Sequence, residues 1–414
     1  MRIIITFSVV LLAAFLSSAN PQAPQITNVA VTSPEGGTLN VSYDLDEDAV
    51  VTMAISIGGT KQTAATVRTL VGDVNRKVAA GNGRSIVWKA YKDCDDLNVA
   101  AGQLSVELTA WTPIRPPDYM VCDLRTESAE RVRYYASSND VPGGVTNRMY
   151  KSDYLLMRRI PAAMVRHRQG SPVDTTVRGG NETAHYCTLS EDYYMAVYEF
   201  TEAQYALVGG SRAKASDFSA NEDFNFYPLC GVYWKNNIRG NVGVAAAPES
   251  SSIIGRLNTR VGLTTFDLPT DAQWEYACRA GTDTTLYDGT ESGYSGASAA
   301  GYERAKVLAW MTDNSDGHPH EVGLKPANAW GLYDMLGNIR EWCRDGNAAY
   351  ANDDDVADPI LSGSFIMRGG SYHDGTYNCT SSARNDSHSG WSGETNGKWN
   401  FYGFRVMCAI PAER

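Results

Sequence analysis

One cysteine stands alone in the polar segment RGGSYHDGTYNCTSSARND, residues 368 to 386. A thiolate is a nucleophile and a soft metal ligand, so Cys379 could carry chemistry. Its nearest neighbours of a chemically active type are His373 and Asp374. The alternative is a core or disulfide-bonded cysteine beside an SSAR motif, in which Arg384 hydrogen-bonds carbonyls and carboxylates of nearby loops. We favour this structural interpretation.

A turn between two acidic residues forms a second candidate site, in YDMLGNIREW, residues 333 to 342. Asp334 and Glu341 bracket a Gly337-Asn338 turn, so two hard carboxylates and the carbonyls between them can converge on one cation. We therefore expect calcium here. The alternative is an ordinary solvated turn whose glutamate bonds backbone amides.

Composition excludes several classes of function. The chain has 414 residues and a formal net charge of −11, with acidic and basic residues interspersed. Without a basic stripe to neutralise phosphates, nucleic acid is not an expected partner. There is no GxSxG, HExxH or phosphate-binding GK[ST] motif, which argues against common hydrolase, zinc protease and nucleotide sites.

The first 19 residues are typical of a secretory signal peptide. An apolar run from Ile3 to Leu16 precedes small residues that suit cleavage after Ala19. A retained N-terminal anchor is the weaker alternative, because the run is short for a membrane span and no later segment approaches about 20 apolar residues. We expect a secreted or periplasmic protein. Its eight cysteines would then lie where disulfides persist.

Residues 24–112 alternate apolar and polar side chains, as in the run Leu39, Val41, Tyr43 and Leu45. Period two with turn residues between the runs predicts an antiparallel β-sandwich of the immunoglobulin or fibronectin type III kind. The proline-rich segment TPIRPPD, residues 112 to 118, ends this pattern. We assign residues 113–150 to a connector and residues 151–414 to a second domain.

The second domain combines short capped helices with long loops rich in Gly, Asn and Ser. Thr201 with Gln204, and Thr270 with Gln273, have the spacing of capping boxes. Each pair precedes an amphipathic stretch that ends at a glycine, which predicts two short helices. We therefore expect a compact, irregular α+β domain.

Several motifs in order carry a resemblance to a known family: LPTDAQWEYACRAGT, NAWGLYDMLGNIREWCRD, MRGGSY, SSARN and YGFRVMCA, in residues 268 to 409. From about residue 152 to residue 410 the chain resembles the formylglycine-generating enzyme, or sulfatase-modifying factor, family. The resemblance implies a fold related to C-type lectins. It also implies an activity: oxidation of a sulfatase cysteine to formylglycine, with oxygen and a copper(I) ion held by two thiolates.

The positions of those two thiolates fall on Asp374, three residues beyond Ser371, and on Cys379. A carboxylate is a hard ligand and a poor substitute for a soft thiolate, so copper(I) should bind weakly. His373 is a less favoured second ligand, since adjacent residues of an extended segment face opposite ways. We therefore expect Cu+ to be absent and oxidase activity to be lost.

The resemblance also marks the lining of a cleft. Ser371 is the serine of the GGS motif, and Arg384 belongs to SSARN. Arg340 stands where the family commonly has an aromatic residue, and Asn378 where active members have a tyrosine. These replacements are expected to change what the cleft accepts.

Calcium ligands and a disulfide follow from the same resemblance. It implies that the side chains of Asp334 and Glu341 bind calcium together with the carbonyls of Gly337 and Ile339. In some members a disulfide joins positions near Cys278 and Cys408, which predicts that bridge here. Cys94 and Cys122, at the end of the first domain, are the next plausible pair.

Two functions remain open. The first is a non-copper homologue that uses the cleft or its loops to bind a peptide or glycan. The second is a formylglycine-generating oxidase. The missing thiolate favours the binding module, whereas the scaffold motifs serve the fold in either case.

Overall fold

The structure is a computed structural model that divides into two compact units. One unit comprises residues 1–121, 132–147 and 411–414, and the other comprises residues 122–131 and 148–410. The residues that the structure describes are 8–9, 23–33, 37–93, 103–128, 130–171, 181–211, 223–293, 299–348, 350, 356–360, 362, 364–386 and 401–410.

The N-terminal unit is rich in β-strands that form two sheets. One sheet has strands Leu104–Trp111, Ala49–Ile57, Thr60–Lys61 and Arg76–Val78, together with Ser8–Val9; the other has Ile26–Thr32, Leu39–Leu45, Gly81–Trp88 and Leu70–Gly72. The predicted alternation is confirmed in Leu39–Leu45, where every second side chain is buried. Apolar side chains from both sheets share one core. A short helix, Ala90–Asp93, follows Gly81–Trp88.

The predicted signal peptide lies outside the described residues except for Ser8 and Val9. It stays a prediction. The region predicted as a connector contains strands Tyr119–Asp123 and Val132–Tyr135 and two 3-10 turns, Ser138–Asp140 and Arg148–Lys151. Within the part of the chain that the structure describes, no helix is long and apolar enough to cross a membrane.

The second unit has the predicted irregular α+β character. Its three sheets contain strands Tyr154–Ile160, Tyr193–Ala196, Met407–Ala409 and Phe266–Asp267; Asn385–Asp386, Phe365–Arg368, Arg340–Gly346 and Tyr402–Gly403; and Val165–Gln169, His185–Leu189 and Val356–Ala357. Its helices are Glu202–Leu207, Ile253–Val261, Asp271–Arg279 and Ala299–Leu308, with a 3-10 turn at Phe224–Phe226 and a π-helical turn at Trp234–Ile238.

Both predicted capping boxes are confirmed. Thr201 and Gln204 exchange side-chain and backbone hydrogen bonds before helix Glu202–Leu207, and Thr270 and Gln273 do so before Asp271–Arg279. Each box satisfies two amides that the helix leaves without partners. The second helix is buried, and Arg368 ties it to the neighbouring sheet through ion pairs with Asp271 and Glu275.

The predicted Cys278–Cys408 disulfide is wrong. The Cys278 thiol is free and buried on its helix, where it donates to Ser381 Oγ at 3.6 Å. Cys408 lies on the last strand, with its Sγ 3.1 Å from Thr265 Oγ1. The prediction assumed that a shift of two residues from the family position leaves Cys408 on the same face of its strand. In the structure, however, the two sulfurs contact different partners. The Cys122 thiol is also free and buried, which contradicts its predicted pairing with Cys94, a residue outside the described range.

Candidate functional site

Cys379 is a core thiol. Two glycines with positive φ, Gly369 and Gly370, turn the chain after strand Phe365–Arg368. A Cβ on Gly370 would lie 2.7 Å from Cys379 Sγ and 2.6 Å from the Asn378 carbonyl oxygen, so glycine is required for this close packing. The thiol is fully buried in the main apolar core, 3.9 Å from the Ser371 carbonyl. Burial raises its pKa far above the ordinary value, which opposes thiolate formation.

Asp374 lies nearby as the centre of a closed hydrogen-bond cluster. Its Oδ2 accepts from Arg340 Nε at 2.8 Å and from Ser371 Oγ at 2.7 Å. Its Oδ1 accepts from Arg340 Nη2 and from Asn378 Nδ2, the latter at 3.1 Å. Burial alone would raise the pKa of Asp374, but these donors hold it below its usual value. The carboxylate is ionised, and its four acceptor positions are filled.

Arg340 forms a two-pronged ion pair with Asp374. It begins strand Arg340–Gly346, and its guanidinium lies 5.3 Å from the centre of the Phe401 ring. Only 16% of the arginine side chain and 9% of the aspartate side chain are exposed. Two of the three departures from the family pattern noted in the sequence, Arg340 and Asp374, are therefore one structural feature. A buried, neutral ion pair stands where the family has a thiolate and an aromatic residue.

A cluster of aromatic rings lies on one side of this ion pair, with Phe401 against Arg340. His373 stacks on Phe401 with ring centres 5.8 Å apart, and Tyr402 packs edge-on against Phe401 at 4.3 Å. Trp342 lies 6.0 Å from Tyr402. His373 thus contacts this aromatic cluster. Among the described residues, the structure contains no group of three or more His, Cys, Asp or Glu placed to hold a metal.

Arg384 does not join the Asp374 cluster. Its guanidinium donates to the carbonyls of Asn181 and Ala348, both at 3.1 Å, and lies 3.3 Å from Asp271. Tyr350 covers its plane at 4.2 Å. These contacts match the structural role given to the SSAR arginine, since they tie loops to the buried helix. The structure therefore brings three of the four predicted cleft residues, Ser371, Arg340 and Asn378, together around Asp374.

The predicted calcium turn is tightly packed. Asp334 and Asn338 both have positive φ, and a Cβ on Gly337 would lie 2.1 Å from the Trp310 carbonyl oxygen. Asp334 is buried, and its Oδ2 accepts from Gly323 N at 2.5 Å. Its Oδ1 has no hydrogen-bond partner. Burial raises the pKa of Asp334 to about 6. A buried carboxylate oxygen without a partner fits a position for a cation.

Glu341 is already engaged. Arg405 donates to both of its oxygens, at 2.6 to 2.9 Å, and Trp274 Nε1 donates to Oε2 at 2.6 Å. These bonds fill the acceptor positions of the carboxylate. Asp334 therefore offers one buried carboxylate oxygen to a cation, whereas Glu341 would first have to give up part of its pairing with Arg405.

Sequence reasoning missed Glu199. This fully buried residue accepts from Asn338 Nδ2 at 2.6 Å and from Ile339 N at 3.2 Å, so it holds the middle of the turn. Burial raises its pKa well above the ordinary value, and the nearby carboxylates of Asp334 and Glu341 add to this effect. The signal was available, because Glu199 interrupts an otherwise apolar run, MAVYEF. A charge inside such a run indicates a buried functional or structural group.

Several known proteins are similar to this chain. The formylglycine-generating enzyme of Mus musculus is 26% identical over 233 residues, which are 48% of this chain and 62% of that protein. The enzyme of Mycobacterium tuberculosis is 38% identical over 82 residues, covering 18% and 25%. A protein named chaperone protein LppX, from Paenibacillus barcinonensis, is 28% identical over 184 residues, covering 38% and 62%. The chain thus spans less than two thirds of each of these relatives.

The solved structure titled Treponema denticola variable protein 1 matches 62% of this chain and 95% of its own, with 22% identity and a TM-score of 0.47. The model of the sulfatase-modifying factor enzyme 1-like domain matches residues 157–410. Because this match takes in more than half of the chain, the protein belongs to the sulfatase-modifying factor enzyme 1-like family.

Proposed function

We propose that this protein is a non-copper member of its family and that it uses the altered cleft to bind a peptide or glycan. The observation that carries the proposal is the ion pair between Arg340 and Asp374. It satisfies both charged groups without a metal, and it leaves Cys379 as a lone buried thiol. Two soft ligands are needed to hold copper(I) for the family's oxidation.

Arg340 supplies the polar contact for a ligand. Its Nε and Nη2 bind Asp374, whereas its Nη1 has no partner among the described residues. Asp374 fixes the plane of the guanidinium. The N–H groups of Nη1 are therefore held in place, and their ordering costs little free energy on binding. Because Asp374 also neutralises the charge, the site suits uncharged acceptors such as peptide carbonyls or sugar hydroxyls. The exposed His373 ring, which stacks on the buried Phe401 ring, offers a further contact surface beside them.

The competing proposal is a formylglycine-generating oxidase, and turnover separates the two. The full chain would be incubated with copper and oxygen and with a peptide carrying the sulfatase cysteine motif, and the products analysed by mass spectrometry. We expect no formylglycine, while a family member with both cysteines converts the peptide in parallel. Turnover that disappears in the Cys379→Ser variant would contradict the binding proposal.

Binding is tested by screening the protein against peptide and glycan arrays and titrating the best ligand. Arg340→Lys keeps the charge but loses the planar fork, and we expect it to weaken binding by about tenfold or more, equal to about 1.4 kcal/mol. His373→Ala should also weaken binding. Met164→Ala is the matched surface control, because Met164 is highly exposed on a different part of the unit. Equal affinity in all three variants would remove the cleft from the proposal.

We also propose that calcium binds the Asp334 turn and orders the loops around the cleft. The unpartnered Asp334 Oδ1 supports this, and the carbonyls of Gly337 and Ile339 are the further ligands proposed with Glu341. The ion would supply a structural link between loops rather than a reacting group. Chelator sensitivity of the melting temperature is the test.

We propose that the N-terminal unit is a sandwich of the immunoglobulin or fibronectin type III kind, supported by its two sheets and shared core. Export to the periplasm or outside the cell rests on the apolar segment that begins the sequence. N-terminal sequencing of the protein recovered from its native host would show whether residues 1–19 are removed.

A further inference from the structure

A cysteine and a histidine face each other across two strands remote in sequence from the cleft motifs. His167 of Val165–Gln169 is the register partner of Cys187 of His185–Leu189. Cys187 is fully buried and His167 is half-buried. The sulfur lies 3.3 Å from His167 Nε2 and 3.9 Å from Nδ1. The pair thus brings one soft donor and one borderline donor into contact.

The surroundings hold this pair in a defined state. The Gln169 side chain donates through Nε2 to Asp271 at 3.0 Å, which turns its Oε1 toward Cys187 Sγ at 3.5 Å. Tyr276 packs against the imidazole, with ring centres 4.7 Å apart. Burial lowers the pKa of His167 to about 4, although Glu275 acts in the opposite direction. The imidazole is therefore neutral near pH 7 and has a nitrogen lone pair to offer.

We propose that the side chains of His167 and Cys187 form a binding site for a soft monovalent cation of the copper(I) class, separate from the family's copper position at Asp374 and Cys379, which the proposed function leaves without copper. Thiolate sulfur and imidazole nitrogen are ligands that such an ion prefers. Binding replaces the thiol proton by the metal: the S–H bond breaks, a sulfur–metal and a nitrogen–metal bond form, and one proton leaves. No electron is transferred.

Charge explains why a monovalent ion is favoured. Exchange of one proton for one monovalent cation leaves the buried site with unchanged charge. A divalent ion would leave one uncompensated positive charge there, which is costly in a low-dielectric interior. The described part of the chain also offers no third His, Cys, Asp or Glu in a metal-binding arrangement with this pair. Zinc, which is usually four-coordinate, is therefore a poor occupant.

The sulfur and nitrogen donors must be far enough apart to hold a metal ion between them. First-row metal bonds to sulfur and imidazole nitrogen are about 2.3 and 2.0 Å long, so a linear arrangement needs donors about 4.3 Å apart. The observed separations of 3.3 and 3.9 Å mean that the imidazole must move outward or the metal bonds must bend. Since His167 is half-buried, it can move toward solvent more easily than Cys187. Tyr276 is the neighbour that must accommodate this shift.

The test is an anaerobic copper(I) titration of the full chain against a chromophoric chelator, with proton release recorded at the same time. We expect one ion per chain and about one proton released per ion. Cys187→Ser should abolish this ion, and His167→Phe, which keeps a ring against Tyr276, should weaken it by about tenfold or more. Cys379→Ser should leave it unchanged, which separates this site from the family position.

The proposal is overturned if the wild-type protein retains no copper(I), if the ion persists in Cys187→Ser, or if only Cys379→Ser removes it. Circular dichroism identifies any variant that fails to fold. X-ray absorption on the wild-type protein then decides without substitutions: one sulfur and one nitrogen neighbour support the pair, and two sulfur neighbours contradict it. One sulfur and one nitrogen neighbour leave the cleft-binding proposal untouched, whereas copper that depends on Cys379 would also contradict the absence of copper from the cleft.

Discussion

Two charged regions of the second unit satisfy their charges in opposite ways. In the cleft, one carboxylate, Asp374, meets one guanidinium, Arg340, and its remaining acceptor positions are filled by Ser371 and Asn378. In the turn, three buried carboxylates lie close together with one buried guanidinium, Arg405. These carboxylates are Glu199, Asp334 and Glu341. The first region pairs its charges one to one, whereas in the second Arg405 pairs with Glu341, and Glu199 and Asp334 accept hydrogen bonds only from amides.

This difference is the physical basis for proposing a cation at the turn and none at the cleft. The pKa of Asp374 is below its usual value because its partners outweigh the cost of burial. The pKa of Asp334 is raised to about 6 because its partners do not. A site with satisfied charges gains nothing from a metal, whereas a site with surplus carboxylates gains by binding one. The proposed loss of copper from the cleft and the proposed binding of calcium at the turn are therefore compatible within one domain.

The largest expected effect on stability comes from disrupting the Arg340–Asp374 ion pair. Asp374→Asn leaves the buried Arg340 guanidinium without its counter-charge, and removal of one partner of a buried pair typically costs about 3–5 kcal/mol. Urea denaturation should show this loss for the second unit. The equivalent change in the other region, Asp334→Asn, should raise stability in chelator at pH 7, because it removes a charge that is in excess.

A double variant sharpens this contrast. Arg340→Met combined with Asp374→Asn should be less destabilised than the sum of the two single variants, with a coupling of about 0.5–3 kcal/mol, because no unpaired charge remains. Additive effects would mean that the ion pair contributes little. If Asp334→Asn and Asp374→Asn destabilise the calcium-free protein equally, the distinction between the two regions is wrong.

The next largest expected effect is the response of the Asp334 turn to calcium. An ion that binds only the folded state stabilises it by about 2.7 kcal/mol at a hundredfold excess over Kd. The second unit should therefore melt at a lower temperature in chelator than in calcium. Asp334→Ala should remove most of this difference, while Asp374→Ala should melt lower but keep the same calcium response.

Glu341→Ala is a less informative variant than Asp334→Ala. It removes a proposed ligand, but it also strips Arg405 of its counter-charge and should destabilise the protein with or without calcium. The calcium response must therefore be compared within each variant, not between variants. An unchanged wild-type melting temperature in chelator, with no calcium found by elemental analysis, would show that the turn is structural only.

Sequence reasoning succeeded where the relevant residues are close in the chain. The capping boxes at Thr201 and Thr270 join residues three apart, and both formed. The two cleft replacements were identified separately, but their pairing was not predicted because Arg340 and Asp374 are 34 residues apart. Local patterns contain no information on which charges meet in space. An arginine and an aspartate that together replace an aromatic residue and a cysteine are nevertheless a signal for such a pair.

Two other outcomes show the same limit. Glu199 reaches the turn from 140 residues away, so only its apolar neighbours in sequence could have marked it. The predicted Cys278–Cys408 bridge rested on strand-face parity, which gives direction but not distance. Disulfides need Cα atoms within about 7 Å, and face parity cannot supply that condition.

The smallest expected effect is the pH dependence of the calcium-free turn. A carboxyl group whose pKa is raised on folding holds its proton more tightly in the folded state. Its contribution to stability is therefore complete below the unfolded pKa, near 3.9, and is lost as pH rises through the folded pKa of Asp334, about 6. Glu199, whose pKa burial also raises, acts in the same direction.

Other carboxyl groups oppose this trend and must be subtracted. Asp271 and Glu275 have lowered pKa values despite burial, because arginines surround them, so their stabilisation is lost as pH falls. The difference in unfolding free energy between wild type and Asp334→Asn, measured in chelator from pH 4 to 7, cancels these common terms. We expect the wild type to lose stability relative to the variant across pH 4 to 6, and saturating calcium to remove this decline because the ion compensates the ionised carboxylate. If this difference in unfolding free energy does not change with pH in chelator, Asp334 is adequately paired, and the Asp334 turn needs no cation.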